Sequence, residues 1–242
     1  MDVVFHQVEV GPMANYNYLV GHGGQAAVVD PAWEVDALLD LAGREGLAVT
    51  RVLLTHTHPD HIGGDYFGTR IPGLAALVEA NRSRLPALLE ANRSRLPRGM
   101  ETTVYVHPRE AEAVKRLDWP ATPPPVVETP DGAEIAWGEL SIRCLHTPGH
   151  TPGSQCFLFN GRLITGDTLF IGACGRTDLP GGDPGQLYDS LTGVLALLPD
   201  ETLVFPGHNY APPAASTTIG GEKSTSPYFR FPNREAFIRA MG

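Results

Sequence analysis

Short apolar runs, several of them alternating with polar residues, recur along this chain between clusters of glycine and proline. Alternation with a period of two is typical of a β-strand, whereas apolar residues spaced three and four apart are typical of an amphipathic helix. These patterns predict strands at 2–10, 16–20, 25–29, 51–55, 103–106, 134–137, 141–146, 155–159, 162–165 and 202–205. They predict helices at 34–45, 73–85, 86–96, 108–117, 184–198 and 233–241, with 73–96 as two short helices or one kinked helix.

The order of these elements predicts an α/β protein. Each half of the chain is βαβ-like, with several strands before its helices, which favours two sheets sandwiched between helices. The proline-rich segment 119–132 predicts a linker or a long crossover. A chain of 242 residues is long enough to bury a sizeable core. We expect a single domain that covers 1–242.

An eight-residue sequence, EANRSRLP, occurs twice, at 79–86 and at 90–97. Because the offset of eleven residues is close to three helical turns, both copies are expected to present the same face of a helix. Segment 70–101 is therefore predicted to be a helical insertion rich in arginine, carrying Arg82, Arg84, Arg93, Arg95 and Arg98. One interpretation is a solvated surface insertion, and the other is a basic lid that attracts an anionic substrate.

Composition and charge narrow the class of protein. A net charge of −9 argues against a partner that is a nucleic acid. No apolar run approaches the roughly 20 residues that span a bilayer, and the first residues lack a signal-peptide pattern. The three cysteines are widely spaced, so neither a disulfide framework nor a zinc knuckle is indicated. We expect a cytoplasmic protein without a membrane partner, and a homo-oligomer is possible.

The stretch THTHPDHIGG, directly after the strand 51–55, concentrates side chains that bind metals. It carries three histidines and one aspartate in six residues, namely His56, His58, Asp60 and His61. Imidazole and carboxylate ligands suit a divalent ion such as zinc or ferrous iron. Alternate residues of an extended strand point the same way, so His56 and His58 can bind one metal. Asp60 and His61, after the bend at Pro59, can turn toward a second.

Three further strand ends repeat this arrangement of a ligand followed or preceded by glycine or proline. They carry His150 in TPGHTPG, Asp167 in TGDTLF and His208 in PGHNY. All three follow predicted strands at the end where α/β sheets place their ligands. The remaining histidines have no comparable neighbours and are left out of the predicted site, although His146 could support His150. These are His6, His22, His107 and His146.

Taken in this order, these four motifs resemble those of the metallo-β-lactamase superfamily over nearly the whole chain. The resemblance implies an αββα four-layer sandwich, with the site at the edges of the sheets. It assigns His56, His58 and His150 to one metal, and Asp60, His61 and His208 to the other. Asp167 would bridge the two ions, and Asp30 would support the site from behind. Zinc is the expected metal, with a single iron as the alternative.

Two divalent ions that share a water lower its pKa toward about 7, which makes a bridging hydroxide the expected nucleophile. Asp60 and Asp167 are the predicted catalytic residues, because Asp60 can orient the nucleophile that Asp167 helps to place. Cys174 has no paired base in the sequence, so a cysteine nucleophile is not indicated. The sequence thus predicts a metal-dependent hydrolase.

The segment 172–183 after Asp167 resembles the compact glyoxalase-II-like enzymes and equally the persulfide dioxygenases. The resemblance implies a small substrate that is an anionic thiol conjugate, such as a hydroxyacylglutathione thioester. Arg176 could bind a substrate carboxylate or pair with Asp178, and Tyr210 could donate a hydrogen bond nearby. Only 34 residues follow His208, too few for the helical glutathione-binding domain of the larger enzymes. The alternatives are a mononuclear iron persulfide dioxygenase that uses His56, His150 and Asp167, a lactonase, or a non-catalytic metal-binding module.

Overall fold

The computed structural model describes residues 3–94, 96–97 and 99–241. Arg95 and Arg98 of the arginine-rich segment lie outside these residues. The chain forms two compact units. The first contains the residues up to Val106 together with Ala111–Glu128 and Trp137–Glu139. The second contains His107–Glu110, Thr129–Ala136 and the residues from Leu140 onward.

The first unit is built on a sheet whose strands follow the order β1-β2-β3-β4-β7-β8. Its strands are β1 (Val4–Val10), β2 (Asn15–His22), β3 (Gln25–Val29), β4 (Ala48–Leu53), β5 (Gly64–Tyr66), β6 (Thr69–Ile71), β7 (Thr103–Val106) and β8 (Val126–Glu128). Its helices are α1 (Val35–Arg44), α2 (Pro59–Ile62), α3 (Gly73–Ala91) and α4 (Ala111–Lys115). β1 to β3 pair antiparallel, whereas β3, β4, β7 and β8 pair parallel. β5 and β6 form a separate hairpin.

One face of this sheet packs against helices. The spacing of Val35, Leu38, Leu39 and Ala42 places four apolar side chains on one side of α1, and all four are buried. They join Leu74, Leu77 and Val78 of α3 and buried apolar residues of β2, β3, β4 and β7 in one core cluster. Burying a leucine side chain stabilises a fold by about 2 kcal/mol, so this cluster fixes β4 in place. The N-terminal half of the predicted insertion is thus part of the core.

The second unit is built on a sheet with the order β14-β13-β12-β11-β10-β9. Its strands are β9 (Glu134–Trp137), β10 (Leu140–His146), β11 (Gln155–Phe159), β12 (Arg162–Gly166), β13 (Leu203–Pro206) and β14 (Thr217–Thr218). Its helices are α5 (Pro184–Gly193), α6 (Ile219–Thr225) and α7 (Arg234–Met241), with short 3-10 helices at Leu195–Leu197 and Pro227–Phe229. Leu145, Leu163 and Val204 of the sheet pack with Leu187 and Phe237 of the helices. Asn233 caps α7 by accepting a hydrogen bond from the backbone N–H of Ala236.

The two copies of the repeat adopt different structures. The first copy lies within α3, which continues through Pro86 to Ala91. The second copy leaves the helix at Asn92, which is the C-cap, so the prediction of one shared helical face is wrong. Leu85 and Leu96 nevertheless both pack in one small cluster around Ala48. Segment 119–132, predicted as a linker or a long crossover, contains the short strand β8, which the sequence patterns did not predict.

The repeat lies at the start of β4, away from the histidine-rich stretch. The Asn81 side chain donates to the backbone oxygen of Val49 (2.7 Å), and that of Asn92 donates to Gly46 (3.0 Å). Thr55 lies just beyond the other end of this strand, roughly 20 Å away at the usual rise of a strand. Arg84 pairs with Asp36 and Asp40 of α1. This geometry favours the surface interpretation over the lid.

None of the helices in the described part of the chain is long and apolar enough to span a membrane.

Candidate metal centre

The histidine-rich stretch begins two residues after β4 ends. Pro59 occupies the first turn of α2, where its missing N–H costs nothing, and the chain bends there. The rings of His56 and His58 meet edge to face with centroids 4.8 Å apart, and those of His56 and His61 lie 4.1 Å apart. His56, Asp60 and His61 are buried, whereas His58 is half-buried. The structure thus gathers these predicted ligands within the first unit.

Asp30 lies behind this group and is buried. Its carboxylate accepts hydrogen bonds from the backbone N–H of Thr55 (2.7 Å), the hydroxyl of Thr55 (2.6 Å) and Nδ1 of His61 (3.2 Å). One ligand-type atom from each of Asp30, His56 and His61 lies within 4.8 Å of the others. A lone carboxylate therefore fixes the position of the turn that carries the ligands.

These contacts also define which ring nitrogens carry protons. Nδ1 of His61 must be protonated because it faces a carboxylate, so Nε2 is the nitrogen left to bind a metal. The Thr55 hydroxyl gives its proton to Asp30 and hence accepts from Nδ1 of His56, 3.0 Å away. Nε2 of His56 is consequently also a metal-binding nitrogen. Asp30 sets one tautomer directly and the other through Thr55.

In the second unit, three turns carry the predicted ligands His150, Asp167 and His208. They follow β10, β12 and β13, respectively. Oδ2 of Asp167 lies 3.4 Å from Nε2 of His208 and 3.6 Å from Nε2 of His150. In the first unit, Oδ2 of Asp60 similarly lies 3.5 Å from Nε2 of His61.

These distances fit metal ligation. Two atoms that each lie about 2.1 Å from a tetrahedral zinc ion are separated by about 3.4 Å. A direct hydrogen bond between nitrogen and oxygen is shorter, at about 2.9 Å. These histidine–carboxylate pairs therefore have the donor atoms and the spacing that a divalent ion requires.

Buried hydroxyl and backbone groups hold the three turns of the second unit. Nδ1 of His150 donates to the backbone oxygen of Arg176 (2.8 Å), which directs its Nε2 toward Asp167. The hydroxyls of Thr147 and Thr168 are hydrogen-bonded to each other (2.9 Å), which links the turns of His150 and Asp167. The Thr165 hydroxyl donates to the backbone oxygen of Leu169 (2.7 Å) and contacts that of Phe205 (3.2 Å), next to the His208 turn.

Gly207 allows the third of these turns to approach the second. A Cβ atom at this position would lie 2.3 Å from Oδ1 of Asp167 and 2.9 Å from the carbonyl carbon of Gly166. Such distances are far below van der Waals contact, so any side chain here would displace the carboxylate.

Known proteins with similar sequences and structures identify the family of this chain. A model described as the metallo-beta-lactamase superfamily matches residues 10–208. This chain belongs to the metallo-beta-lactamase superfamily. The hydroxyacylglutathione hydrolase of Anaeromyxobacter dehalogenans (strain 2CP-C) is 36% identical over 199 residues, which cover 82% of this chain and 63% of that protein. The chain thus spans less than two thirds of the length of this relative.

Two solved structures are similar over nearly the whole chain. ETHE1 from Myxococcus xanthus has a TM-score of 0.73 at 34% identity and covers 98% of this chain and 89% of its own. TTHA1623 in a di-iron-bound form has a TM-score of 0.63 at 32% identity, with 92% and 99% covered. These findings confirm the predicted superfamily, its α/β fold class and the glyoxalase-II-like, persulfide-dioxygenase-like branch. Several relatives are named hydroxyacylglutathione hydrolase. The histidine–aspartate groups of this chain support divalent metals.

The two predicted substrate-binding residues of this superfamily member both lie in the second unit. Nε and Nη2 of Arg176 each donate to the carboxylate of Asp178 at 2.6 Å, and this pairing lowers the pKa of Asp178 to about 2. The ring of Tyr210 stacks on His208, with centroids 4.9 Å apart and planes 8° apart. A role for either residue in substrate binding stays a prediction.

The cysteines of this metallo-beta-lactamase homologue are poor nucleophiles. Burial raises the pKa of Cys174 and of Cys156 to about 12, and that of Cys144 to about 11. All three thiols are therefore neutral near pH 7, in agreement with a site that depends on metal ions.

His146, which the sequence suggested as a support of His150, donates from Nε2 to the backbone oxygen of Pro152 (3.0 Å).

Sequence reasoning missed two supporting groups. Glu110 is buried and accepts from the Thr151 hydroxyl (2.6 Å) and the Gly153 N–H (3.0 Å), directly after His150. Asn15, a buried residue of β2, donates to Asp60. Asn15 is the first residue of β2 and lies just before the predicted strand 16–20, so no pattern in the sequence indicated its role.

Proposed function

We propose that this protein is a metal-dependent hydrolase of a small thioester, similar to hydroxyacylglutathione hydrolase, with a dinuclear metal centre. The proposed metal ligands are His56, His58, Asp60, His61, His150, Asp167 and His208. The observation that carries the proposal is the shared oxygen of Asp167, which lies at ligand spacing from both His150 and His208. Since the resemblance assigns His150 to one ion and His208 to the other, an Asp167 carboxylate close to both is suited to bridge the two ions. The hydrolases among the relatives support the same activity.

When bound, two such ions would lower the pKa of a shared water and polarise the carbonyl group of the substrate. The protein's own residues orient the donors: Asp30 and the Arg176 carbonyl fix the tautomers of His61 and His150. Asp60 and Asp167 are the proposed catalytic residues. Asp60 would orient the attacking water, and Asp167 would hold the ions at a fixed separation. Histidine and carboxylate donors suit zinc, which we propose as the metal, and also iron.

The proposed substrate is an anionic thiol conjugate. Arg176 has an exposed guanidinium group whose planar fork already binds one carboxylate, that of Asp178. A substrate carboxylate could take the place of Asp178 with little change in geometry, because both side chains are exposed. Tyr210 is more than half exposed beside His208 and could donate a hydrogen bond to the same substrate.

A second candidate function is that of a mononuclear iron persulfide dioxygenase. The similarity to ETHE1, over 98% of this chain, supports it. Such a site would use two histidines and one carboxylate, namely His56, His150 and Asp167, with open positions for oxygen and substrate.

One experiment separates the two. The purified protein is assayed for zinc and iron, for hydrolysis of S-D-lactoylglutathione and for oxygen uptake with glutathione persulfide. We expect two metal ions and hydrolysis. His208→Gln should remove one ion and lower hydrolysis by about 100-fold or more, since even residues behind the ligands contribute 10- to 100-fold.

His6→Gln is the matched control, because His6 lies on the surface and pairs with Glu45 at 2.9 Å. It should leave both activities at the wild-type level. One iron per chain with oxygen uptake that survives His208→Gln would contradict the hydrolase and establish the second candidate.

A further inference from the structure

Asn15 contacts the one predicted catalytic residue of the first unit. Its side-chain nitrogen lies 3.0 Å from the backbone oxygen of Asp60 and 3.2 Å from Oδ2 of the Asp60 carboxylate. Both partners only accept hydrogen bonds, so the two hydrogens of the amide can serve both. The side chain is 1% exposed, and the contact spans 45 residues of sequence. Asn15 thus holds the backbone and the side chain of Asp60 together.

Trp33 fixes the orientation of this amide. Its indole Nε1, which can only donate, lies 3.1 Å from Oδ1 of Asn15. The atom that faces Trp33 must be the oxygen, and the atom that faces Asp60 must be the nitrogen. The two contacts therefore assign the amide independently of each other. Gly11 lets the indole lie against the backbone, since a Cβ there would fall 2.5 Å from the ring, and its φ of +66° favours glycine.

The Asp60 side chain needs such support because its own helix is short. α2 has four residues, and an isolated single turn is unstable. Asp30 contacts Thr55 and His61, and Asn15 contacts Asp60 itself. A carboxylate with one oxygen engaged by an amide N–H has a defined rotamer, which limits where its other oxygen can point.

We propose that Asn15, oriented by Trp33, is a positioning residue that aims the Asp60 carboxylate at the metal centre. This proposal rests on the proposed function only in assigning Asp60 to that centre. Asn15 acts through Asp60, whose backbone oxygen and carboxylate it contacts. Its removal should weaken the binding of one metal ion and leave the other unchanged.

The test is a double-mutant cycle with Asn15→Leu and Asp60→Asn. Zinc affinity is measured by competition with a chromophoric chelator, and the melting temperature is measured on the metal-free protein. We expect Asn15→Leu to weaken the weaker zinc site by about 10- to 100-fold. In the Asp60→Asn background, Asn15→Leu should have no further effect on zinc affinity, because residues that act as a unit are not additive.

Two further variants keep the test decisive. Trp33→Phe retains the ring but removes the N–H, so it should weaken the same zinc site by a smaller factor even if Asn15→Leu folds poorly. Asn81→Leu is the matched control: Asn81 is also 1% exposed and donates to Val49 and Thr102, at the start of β4. It should lower the melting temperature and leave both zinc affinities unchanged.

The outcomes separate this proposal from the proposed function. Zinc affinities that Asn15→Leu and Trp33→Phe leave unchanged, or effects fully additive with Asp60→Asn, would overturn the positioning role. A wild-type protein that binds one ion would overturn the dinuclear hydrolase instead. In that case the turnover number is measured for the same four proteins of the cycle. An effect of Asn15→Leu that disappears in the Asp60→Asn background would support the positioning role of Asn15. No effect, or an effect that adds to that of Asp60→Asn, would overturn it.

Discussion

The predicted ligands of the two units are supported by chemically different groups. In the first unit, four ligands lie within six residues, and one buried carboxylate, that of Asp30, holds their turn and sets the tautomers of two histidines. In the second unit, three ligands come from three turns spread over 59 residues, from 150 to 208. Neutral hydroxyl and carbonyl groups tie those turns together. In the local cluster, one charged residue thus serves the turn and two of its histidines, whereas the dispersed ligands are linked to one another by several weak contacts between neutral groups.

Removal of the Asp30 carboxylate tests this difference between the two units most directly. Asp30→Ala leaves the Thr55 N–H and the His61 Nδ1–H without their acceptor in a buried place. Hydrogen bonds to a charged group contribute about 1.5–3 kcal/mol, so we expect the free energy of unfolding to fall by about 3 kcal/mol. Zinc affinity should fall by about 10- to 100-fold, because both histidines lose their fixed tautomers.

Urea unfolding of the metal-free protein and chelator competition measure these two effects. Asp36→Ala is the control, since Asp36 is an exposed residue of α1 that pairs with Arg84. An Asp30→Ala protein with wild-type zinc affinity would show that the turn is held by other contacts.

Loss of one supporting side-chain hydrogen bond in the second unit should have a smaller effect than Asp30→Ala. Thr147→Val keeps the shape of the side chain and removes its hydrogen bond to Thr168 (2.9 Å). A neutral hydrogen bond contributes about 1 kcal/mol, which is the loss of unfolding free energy we expect. Zinc affinity should change less than about threefold, since His150 keeps its bond to the Arg176 carbonyl. A loss as large as that of Asp30→Ala would remove the distinction between the two units.

Local patterns in the sequence predict the ligand-bearing turns and ten of the fourteen strands in the described part of the chain. Short apolar runs between turn residues predict β3, β7, β9 and β11 with the bounds that the structure has, and each group of ligands follows a predicted strand. The repeat shows where such patterns fail. Its two copies are identical in sequence. Asn81 of the first copy lies inside α3 and donates hydrogen bonds to Val49 and Thr102, whereas Asn92 of the second copy is the C-cap of α3 and donates a hydrogen bond to Gly46. Tertiary partners, which the local sequence does not contain, decide between these structures.

The supporting residues were harder to predict for the same reason. Trp33 and Asn15 are 18 residues apart, and Asn15 and Asp60 are 45 apart. No spacing rule connects them, because their contact depends on the pairing of β2 with its neighbours. β5 and β6 were missed because each has three residues and carries little apolar periodicity.

The free energy of unfolding of the second unit should also depend weakly on pH, because this unit contains the buried histidine His107. His107 stacks on His146 with centroids 4.0 Å apart, and its Nδ1 accepts from the Arg109 N–H. Burial, and then the charges of His146 and Arg109, lower the pKa of His107 from 6.5 to about 4. As the pH falls, the unfolded chain takes up this proton before the folded chain does. The stability that neutral His107 contributes is complete above about pH 6.5 and is lost as the pH falls toward about 4.

Thermal unfolding of the metal-free wild type and of His107→Gln between pH 7.5 and 4 measures this contribution. Metal must be absent, because protonation of the ligands would impose a pH dependence of its own. We expect the wild type to lose more stability than the variant across this window, by less than about 1 kcal/mol, since charges near solvent are screened. Equal pH slopes in the two proteins would mean that His107 does not contribute to the pH dependence of stability in this range. The hydroxyl and backbone groups that link the three ligand-bearing turns to one another do not titrate, so the contrast with the carboxylate of Asp30 would then be wider.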